Sequence, residues 1–289
     1  MRTTRAIDGR MDALVTTEWL ARELDAPDLR VLDATYFLPE HGRNAAAEHE
    51  AAHIPGARFL DLATLRDTAS PHPNMLPAAE MFAARLGALG IGEDARIVLY
   101  DDSPLHSSAR AWWMLRSFGS AEVAILDGGL ARWRAEGRPL AAGREPAEPR
   151  PFVARPDPAS LRTLDQMRAN LASGTEQVLD ARSRARFTGE ERDPRPHVAD
   201  GHVPGSRHLH YADLFEADGT WKRGEALRAA FDRAGIDPDR PLVTTCNSGV
   251  TAAVLLFAAR LLGRDAALYD GSWSEWGAHP DTPKATGPA

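Results

Sequence analysis

Four short strings recur in similar form along this chain of 289 residues, in the same order. The first copy contains VLDA (31–34), HIPGA (53–57), IVLYD (97–101) and LDGG (126–129). The second copy contains VLDA (178–181), HVPGS (202–206), LVTTC (242–246) and YDGS (269–272). The separation between equivalent residues changes little, from 149 residues between His53 and His202 to 143 between Trp133 and Trp276. Such gradual drift indicates two copies of one domain that differ by small loop insertions, because chance would not keep four strings in order.

The segment between the two copies, residues 137–158, is rich in proline and has little apolar periodicity. This composition is typical of a semi-extended linker. We therefore predict a non-catalytic domain over residues 11–138, a linker over residues 139–158 and a catalytic domain over residues 159–289; the basis for the assignment of catalysis is given below.

Each copy alternates two kinds of pattern. Short runs rich in β-branched residues, such as 96–100 and 241–245, predict strands, and the stretches 78–89 and 250–262 predict helices. The alternation predicts an α/β fold in which a mainly parallel sheet is flanked by helices. The second of these helices is apolar on nearly every face and is followed by Gly263, which predicts a buried helix with a glycine cap.

Composition narrows the classes of function. A net charge of -7 with scattered arginines gives no basic footprint for nucleic acid. No apolar run approaches the roughly 20 residues that cross a bilayer, and residues 1–11 lack the apolar core of a secretion signal. We therefore expect a cytoplasmic protein that binds neither nucleic acid nor membranes.

Cys246 is the only cysteine. It cannot form an intramolecular disulfide, and it excludes a site built from several cysteines around zinc or an iron–sulfur cluster. We expect neither a metal nor an organic cofactor.

Cys246 lies directly after a predicted strand and directly before a predicted helix. In such a turn backbone N–H groups point inward and the positive end of the helix dipole is close, so an anionic sulfur is stabilised. The position predicts a reactive nucleophile. A buried cysteine with a purely structural role is the alternative.

Phosphatases use a similar loop, but they need a guanidinium six residues after the cysteine to hold phosphate through two hydrogen bonds. This chain has Ala252 there. Phosphoryl chemistry is therefore disfavoured.

Three strings, CNSGVTA (246–252), DGSWSEW (270–276) and HVPG (202–205), resemble the signatures of tandem rhodanese-domain sulfurtransferases. The resemblance extends from about Leu14 to Trp276. It implies two rhodanese-like domains, a persulfide on Cys246, a small-molecule sulfur donor and a thiol acceptor such as thioredoxin. Alignment of the two copies places Asp101 where Cys246 lies in the second, so the first domain cannot form a persulfide at the equivalent position.

The cysteine loop also bears on the sulfur donor. The thiosulfate branch of the family typically has basic residues just after the cysteine, whereas this chain has Asn247 and Ser248, which resembles the 3-mercaptopyruvate branch. Ser248 is a candidate catalytic residue that could bond a substrate carbonyl or relay a proton; a hydroxyl that only stabilises the loop is the alternative. Asn247, Gly249, Val250 and Thr251 are candidate substrate-binding residues of the loop.

Arg186 and Arg195 match the positions at which the family holds the carboxylate of 3-mercaptopyruvate. A guanidinium suits a carboxylate because it can donate two parallel hydrogen bonds. The alternative is that both arginines form exposed ion pairs, which need no function.

The chain also departs from the family. Ala63 and Asn74 replace an acidic residue and a histidine often found there, and Asn247 replaces a glycine. A serine–histidine–acid relay is therefore incomplete, and its replacement could come from the nearby polar residues Asp61, Asp67, Ser70 and His72. His53 and His202 occur at the same point of both copies, which favours a structural role over a catalytic one.

These observations predict a sulfurtransferase that moves sulfur from 3-mercaptopyruvate to a thiol or to cyanide and releases pyruvate. Two alternatives stay open. One is a thiosulfate sulfurtransferase, and the other is a persulfide carrier or interaction module that uses the same fold without turnover.

Overall fold

A computed structural model describes residues 11–288 of the chain, so most of the stretch used to exclude a secretion signal lies outside the described residues. The described chain forms two compact units. The first comprises residues 11–66, 77–156 and 217–221, and the second comprises residues 67–76, 157–216 and 222–288. None of the helices in this part of the chain has the length and apolarity needed to span a bilayer.

The first unit contains a five-stranded, fully parallel sheet in the order β1-β5-β4-β2-β3. Its elements are β1 (Leu14–Val15), α1 (Thr17–Glu23), β2 (Leu29–Asp33), α2 (Ala45–Ala51), β3 (Arg58–Phe59), α3 (Ala79–Ala88), β4 (Arg96–Tyr100), α4 (Ser108–Ser117), β5 (Val123–Leu126) and α5 (Gly129–Ala135), with a 3-10 turn at Pro39–His41.

The second unit repeats this sheet with the order β6-β10-β9-β7-β8, again fully parallel. Its elements are β6 (Leu161–Arg162), α6 (Leu164–Ser173), β7 (Gln177–Asp180), α7 (Arg184–Thr188), β8 (Arg207–His208), α8 (Gly224–Arg233), β9 (Leu242–Thr245), α9 (Ala252–Leu261), β10 (Ala267–Tyr269) and α10 (Ser272–Trp276), with 3-10 turns at Pro158–Ser160 and Tyr211–Leu214. The predicted α/β fold with two similar domains is confirmed.

Each unit contains a short segment from the other repeat. In the second unit the Leu76 N–H donates to Asp270 Oδ2 at 2.5 Å, and in the first unit the Trp221 N–H donates to Asp127 Oδ1 at 2.9 Å. Asp127 and Asp270 occupy the same place in the repeated strings. The exchanged segments are therefore equivalent, a feature that the repeat pattern did not predict.

The proline-rich segment forms no helix and no named strand between residues 137 and 157. It is nevertheless bound to the first unit through its backbone. The Arg150 N–H donates to the Gly87 carbonyl at 3.0 Å, and the Arg155 N–H donates to the Phe118 carbonyl at 2.9 Å. The boundaries at 138 and 158 stay a prediction.

The buried aromatic and histidine side chains explain why some motif residues recur. Trp133 and Trp276 are fully buried, and their indole N–H groups donate to the carbonyls of Pro139 and Pro283. These equivalent bonds tie the last helix of each unit to the segment that follows it.

His53 and His202 are buried, and each backbone forms an antiparallel bridge within its own unit. The ring Nδ1–H of His53 donates to the His49 carbonyl at 2.8 Å, and that of His202 donates to the Phe187 carbonyl at 2.7 Å. Burial lowers the pKa of His202. These shared bonds support the structural role predicted for both residues.

Helix α9 is buried from Ala252 to Ala259, and Gly263 follows it in the left-handed region, with a φ of +79°. The predicted buried helix is confirmed. It begins two residues later than predicted because Val250 and Thr251 belong to the preceding turn.

A buried ion pair stands at the end of β7. Arg182 Nη2 lies 2.6 Å from Asp180 Oδ2, and the two side chains are 5% and 1% exposed. The same nitrogen donates to the Gly201 carbonyl at 2.8 Å, and the guanidinium lies over the Trp273 ring. Arg182, one of the arginines near the predicted binding pair, therefore has a structural role.

Replacing Arg182 with methionine should destabilise the protein by about 3–5 kcal/mol, because Asp180 would be left as a buried, unpaired charge. Urea unfolding of Arg182→Met measures this. Arg22→Met is the control, since it breaks the exposed pair with Glu18 and should cost less than about 0.5 kcal/mol. Equal, small losses in both variants would contradict the assignment.

Candidate active site

Cys246 directly follows β9, the middle strand of the second sheet, and is 1% exposed. Its N–H donates to Ser272 Oγ at 3.2 Å, and its carbonyl accepts the Trp273 N–H at 3.0 Å. Both contacts come from the start of α10. The thiol therefore stands at the carboxyl edge of a parallel sheet, where α/β proteins bind their ligands.

The cysteine loop, residues 246–251, turns back on itself before α9 begins. Gly249 has a φ of +78°. This conformation is unfavourable for residues that have a side chain, but glycine adopts it readily. Ser248, Val250 and Thr251 are buried within the loop. The structure thus brings the predicted loop residues together in one turn at the N-terminal end of a ten-residue helix.

Arg195 braces this loop from the segment before His202. Its Nη2 donates to Asn247 Oδ1 at 2.7 Å and its Nη1 donates to Ser274 Oγ at 2.6 Å. Ser274 in turn donates from its own N–H to the Asn247 carbonyl at 2.9 Å. Arg195 therefore contacts the cysteine loop directly, and its role in substrate binding stays a prediction.

Asp193 holds Arg195 from the other side, through Nε at 2.8 Å and Nη2 at 2.9 Å. Burial opposes ionisation of Asp193, but the hydrogen bonds and the charge of Arg195 outweigh it, so the pKa of Asp193 is lowered. Arg186 adds to this lowering by its charge. Both predicted arginines therefore lie near one carboxylate.

Arg186 lies on α7 and its side chain is 29% exposed. Its Nε donates to Glu191 Oε1 at 2.8 Å. This is the surface pair that the sequence left open as an alternative. Among residues 11–288 no other hydrogen-bond acceptor contacts its side chain, so both Nη groups can still donate to a ligand.

Tyr211 was missed from the sequence. Its N–H donates to the Ala181 carbonyl at 3.1 Å, and the Ala181 N–H donates to the Thr245 carbonyl at 2.9 Å, which brings Tyr211 to the sheet edge that carries Cys246. Burial and the charge of the Cys246 sulfur both raise the pKa of Tyr211. Its position shortly after β8 is the sequence feature that could have indicated a place at this edge of the sheet.

Segment 67–76 supplies a polar contact to the loop. Asn74 Nδ2 donates to Ser248 Oγ at 3.0 Å. His72 Nε2 lies 3.9 Å from Glu275 Oε1. Asp67 and Ser70 accept backbone N–H groups of the segment itself.

Asp61 and Ala63 belong to the first unit, where the Ala63 N–H donates to Asp61 Oδ1 at 3.0 Å. In the described part of the chain, no cluster of three or more His, Cys, Asp or Glu side chains is arranged to hold a metal ion.

The first unit has an equivalent loop at residues 101–107, and Asp101 stands where the repeat places it. Its carbonyl accepts the Leu130 N–H at 3.1 Å, as Cys246 accepts the Trp273 N–H. Its side-chain oxygens accept the N–H groups of Ser103 at 3.0 Å and Ser108 at 2.8 Å. Burial raises the pKa of Asp101 against the charge of His106 and the bonds from Ser108. An acidic side chain thus fills the first turn.

Comparison with known proteins agrees with this geometry. The model of the rhodanese-like domain matches the chain twice, over residues 16–136 and 163–279. The chain therefore belongs to the rhodanese family.

Three members of known activity or structure are similar to this chain over most of its length. Human 3-mercaptopyruvate sulfurtransferase is 42% identical over 271 residues, which covers 91% of each chain. Thiosulfate sulfurtransferase of Cricetulus griseus is 41% identical over 274 residues, with 91% of each chain covered. The crystal structure of SseA from Escherichia coli, a 3-mercaptopyruvate sulfotransferase, has a TM-score of 0.83 and 39% identity over 92% of this chain and all of that one.

Replacing Asp193 with asparagine should flatten the dependence of stability on pH. Because the pKa of Asp193 is lowered from its ordinary value of about 4, ionised Asp193 stabilises the fold above about pH 4, and this is lost as the pH falls through the lowered pKa. Urea unfolding between about pH 6 and pH 3 measures the effect. Asp265→Asn, at an exposed position, is the control. If stability depended on pH equally in the wild type and in Asp193→Asn, the stabilising role of the Asp193–Arg195 pair would be contradicted.

Proposed function

We propose that this chain transfers sulfur from 3-mercaptopyruvate to a thiol through a persulfide on Cys246 and releases pyruvate. The relatives confirm the prediction of a sulfurtransferase. The observation that carries the proposal is the position of Cys246: a thiol in a turn at the end of the middle strand, beside an arginine that bonds its neighbour Asn247.

In the first half-reaction the Cys246 thiolate attacks the substrate sulfur. The S–S bond forms as the C–S bond breaks, and the electron pair of the C–S bond leaves on pyruvate as the enolate. The proton of the substrate thiol, now on the outer sulfur of the persulfide, is lost when the persulfide ionises. The enolate carbon takes up one proton to give pyruvate. The loop N–H groups and the N-terminus of α9 stabilise the negative charge on sulfur.

In the second half-reaction an acceptor thiolate attacks the outer sulfur and regenerates the Cys246 thiolate. The acceptor is a small thiol or a thioredoxin-like protein, and cyanide replaces it in an assay. The chemistry requires no metal or organic cofactor. We place the reaction in the cytoplasm, where thiol acceptors are kept reduced.

The two arginines divide the binding of the donor carboxylate. A guanidinium has five N–H groups, and within residues 11–288 four of those of Arg195 have partners. Arg195 therefore offers one Nη1–H, and Arg186 offers both of its Nη groups. We assign the paired hydrogen bonds to Arg186 and a single one to Arg195.

We assign catalysis to the domain at residues 159–289 and a non-catalytic role to the domain at residues 11–138. Asp101 supports this division, because a carboxyl group at the equivalent position cannot carry transferable sulfur. The substrate site is shaped by four residues of the loop, Asn247, Gly249, Val250 and Thr251. Ser248 donates a hydrogen bond from its hydroxyl group to the substrate.

Thiosulfate is the competing donor, because a thiosulfate sulfurtransferase is among the similar relatives. The loop favours the mercapto acid. Asn247 and Ser248 place no cation beside the sulfur, and the arginine that touches the loop is neutralised by Asp193. The thiosulfate dianion is therefore stabilised less here than 3-mercaptopyruvate, whose single negative charge lies on a carboxylate away from the sulfur.

Incubation with 3-mercaptopyruvate, followed by removal of the donor, should add one sulfur atom per chain by intact mass. Cys246→Ser should gain none, because Cys246 is the only thiol. Ser103→Ala, at the equivalent loop of the first unit, is the matched control and should gain as much sulfur as the wild type.

Three results would overturn parts of the proposal. Sulfur retained by Cys246→Ser would remove the assigned nucleophile. Loading by thiosulfate that outpaces loading by 3-mercaptopyruvate would replace the donor. A wild-type persulfide that no thiol or cyanide can discharge would establish a carrier instead of an enzyme.

Arg186→Lys should raise KM for 3-mercaptopyruvate by about 10-fold, because lysine keeps the charge but loses the two parallel hydrogen bonds. With thiosulfate, which has no carboxylate, KM should change by less than about 2-fold. Arg184→Lys, on the exposed side of α7, is the control. Equal effects on both donors would contradict carboxylate recognition by Arg186.

A further inference from the structure

Segment 67–76 reaches the cysteine loop through Asn74 and is held by two backbone hydrogen bonds. The Asp67 N–H donates to the Met75 carbonyl at 2.9 Å, which closes the segment on itself. The Leu76 N–H donates to Asp270 Oδ2. Between these anchors Asn74 Nδ2 reaches Ser248 Oγ at 3.0 Å.

The backbone of Asn74 is in the left-handed region, with a φ of +60°. Among residues with a side chain, asparagine and aspartate adopt this conformation most readily, but glycine adopts it without cost. The equivalent position in the first unit is Gly219, with a φ of +80°; it lies two residues before Trp221, as Asn74 lies two residues before Leu76.

The loop serines differ in the same way. Ser103 occupies in the first loop the position of Ser248 in the second. Its hydroxyl donates to the Tyr36 carbonyl at 2.5 Å. Thus the amide side chain and its bond to the loop serine accompany the cysteine, whereas the copy with Asp101 has a glycine and directs its serine to the backbone.

We propose that Asn74 is a positioning residue that makes Ser248 a hydrogen-bond donor to the substrate. Because the amide N–H already occupies the Ser248 oxygen, the Ser248 proton points elsewhere and can donate to the C2 carbonyl oxygen of 3-mercaptopyruvate. That oxygen gains negative charge as the C–S bond breaks, so the bond strengthens in the transition state. This inference rests on the proposed function.

An amide has no proton to exchange in this pH range, so Ser248 keeps its proton throughout the transfer. The enolate carbon receives its proton from water. The titratable and charged groups near this corner of the site are Asp270, His72, Glu275 and the Asp193–Arg195 pair, and all of them are retained in the variants below.

The experiment reverses the direction of the hydrogen bond between residue 74 and Ser248. Asn74→Asp keeps the left-handed backbone, but an ionised carboxylate accepts the Ser248 proton and draws it away from the substrate. Asn74→Gly removes the side chain and copies the first unit, so the backbone is not strained. Both are assayed with 3-mercaptopyruvate between about pH 4 and pH 8.

At neutral pH we expect kcat/KM to fall about 10-fold in Asn74→Gly and about 100-fold in Asn74→Asp. Below about pH 5 the carboxyl group introduced by Asn74→Asp becomes protonated and can donate, so the activity of this variant relative to Asn74→Gly should rise. The ratio of the two variants cancels the ionisation of the thiols, which they share. In the Ser248→Ala background the ratio should stay flat.

A ratio that does not change with pH would overturn the inference, as would a pH response that survives Ser248→Ala. Activity of Asn74→Gly equal to that of the wild type would also overturn it. A wild type that takes no sulfur from 3-mercaptopyruvate would instead refute the proposed function, and the inference with it. Ser103→Ala should match the wild type throughout.

Discussion

The turn between the middle strand and the following helix imposes one electrostatic requirement on both halves of the chain. Backbone N–H groups and the positive end of a helix dipole converge there and favour an acceptor or a negative charge. In the first unit the carboxyl group of Asp101 accepts two of these N–H groups. In the second unit the same position holds Cys246, whose sulfur is negatively charged when it is reactive.

This requirement accounts for the two different roles that we propose for the two halves of the chain. The duplicated sheets have the same strand order, and at the first residue of the turn a carboxyl group in one unit corresponds to a thiol in the other. A carboxyl group completes the first turn and leaves it chemically inert toward sulfur. In the proposed reaction the thiol of the second turn carries the sulfur atom, because the thiolate and the persulfide are both anions that the same N–H groups can stabilise.

The charged side chains around the loop can orient a bound substrate as well as attract it. Arg195 touches Asn247, but Asp193 neutralises most of its charge, while Arg186 keeps its two Nη groups available at a more exposed position. A carboxylate can therefore be held at a distance from the sulfur. This separation suits a substrate with an anionic end and a reactive thiol end.

The features that could be predicted from the sequence are those carried by contiguous strings. Cys246, its place between strand and helix, Asp101 as its counterpart and the buried helix α9 all follow from short local patterns and their repetition. The contact between Asn74 and Ser248 joins residues that are 174 positions apart, and Tyr211 reaches the site only through the pairing of strand ends. No local pattern specifies such contacts.

The missing acid and histidine were visible in the sequence as Ala63 and Asn74, but their consequence was not. In the structure Asn74 still bonds the loop serine, as an amide donor, whereas Ala63 belongs to the first unit. A substitution that reads as a loss in the sequence thus retains a contact of different chemistry.

The most direct test is a pre-steady-state measurement of pyruvate released from excess 3-mercaptopyruvate before any other thiol is added. A chain with one sulfur-carrying turn predicts a burst of one pyruvate per chain, followed by a slower release, in which 3-mercaptopyruvate itself acts as the thiol acceptor, that accelerates when a second thiol is added. A burst of two per chain, or a burst that persists when Cys246 is replaced by serine, would contradict the account.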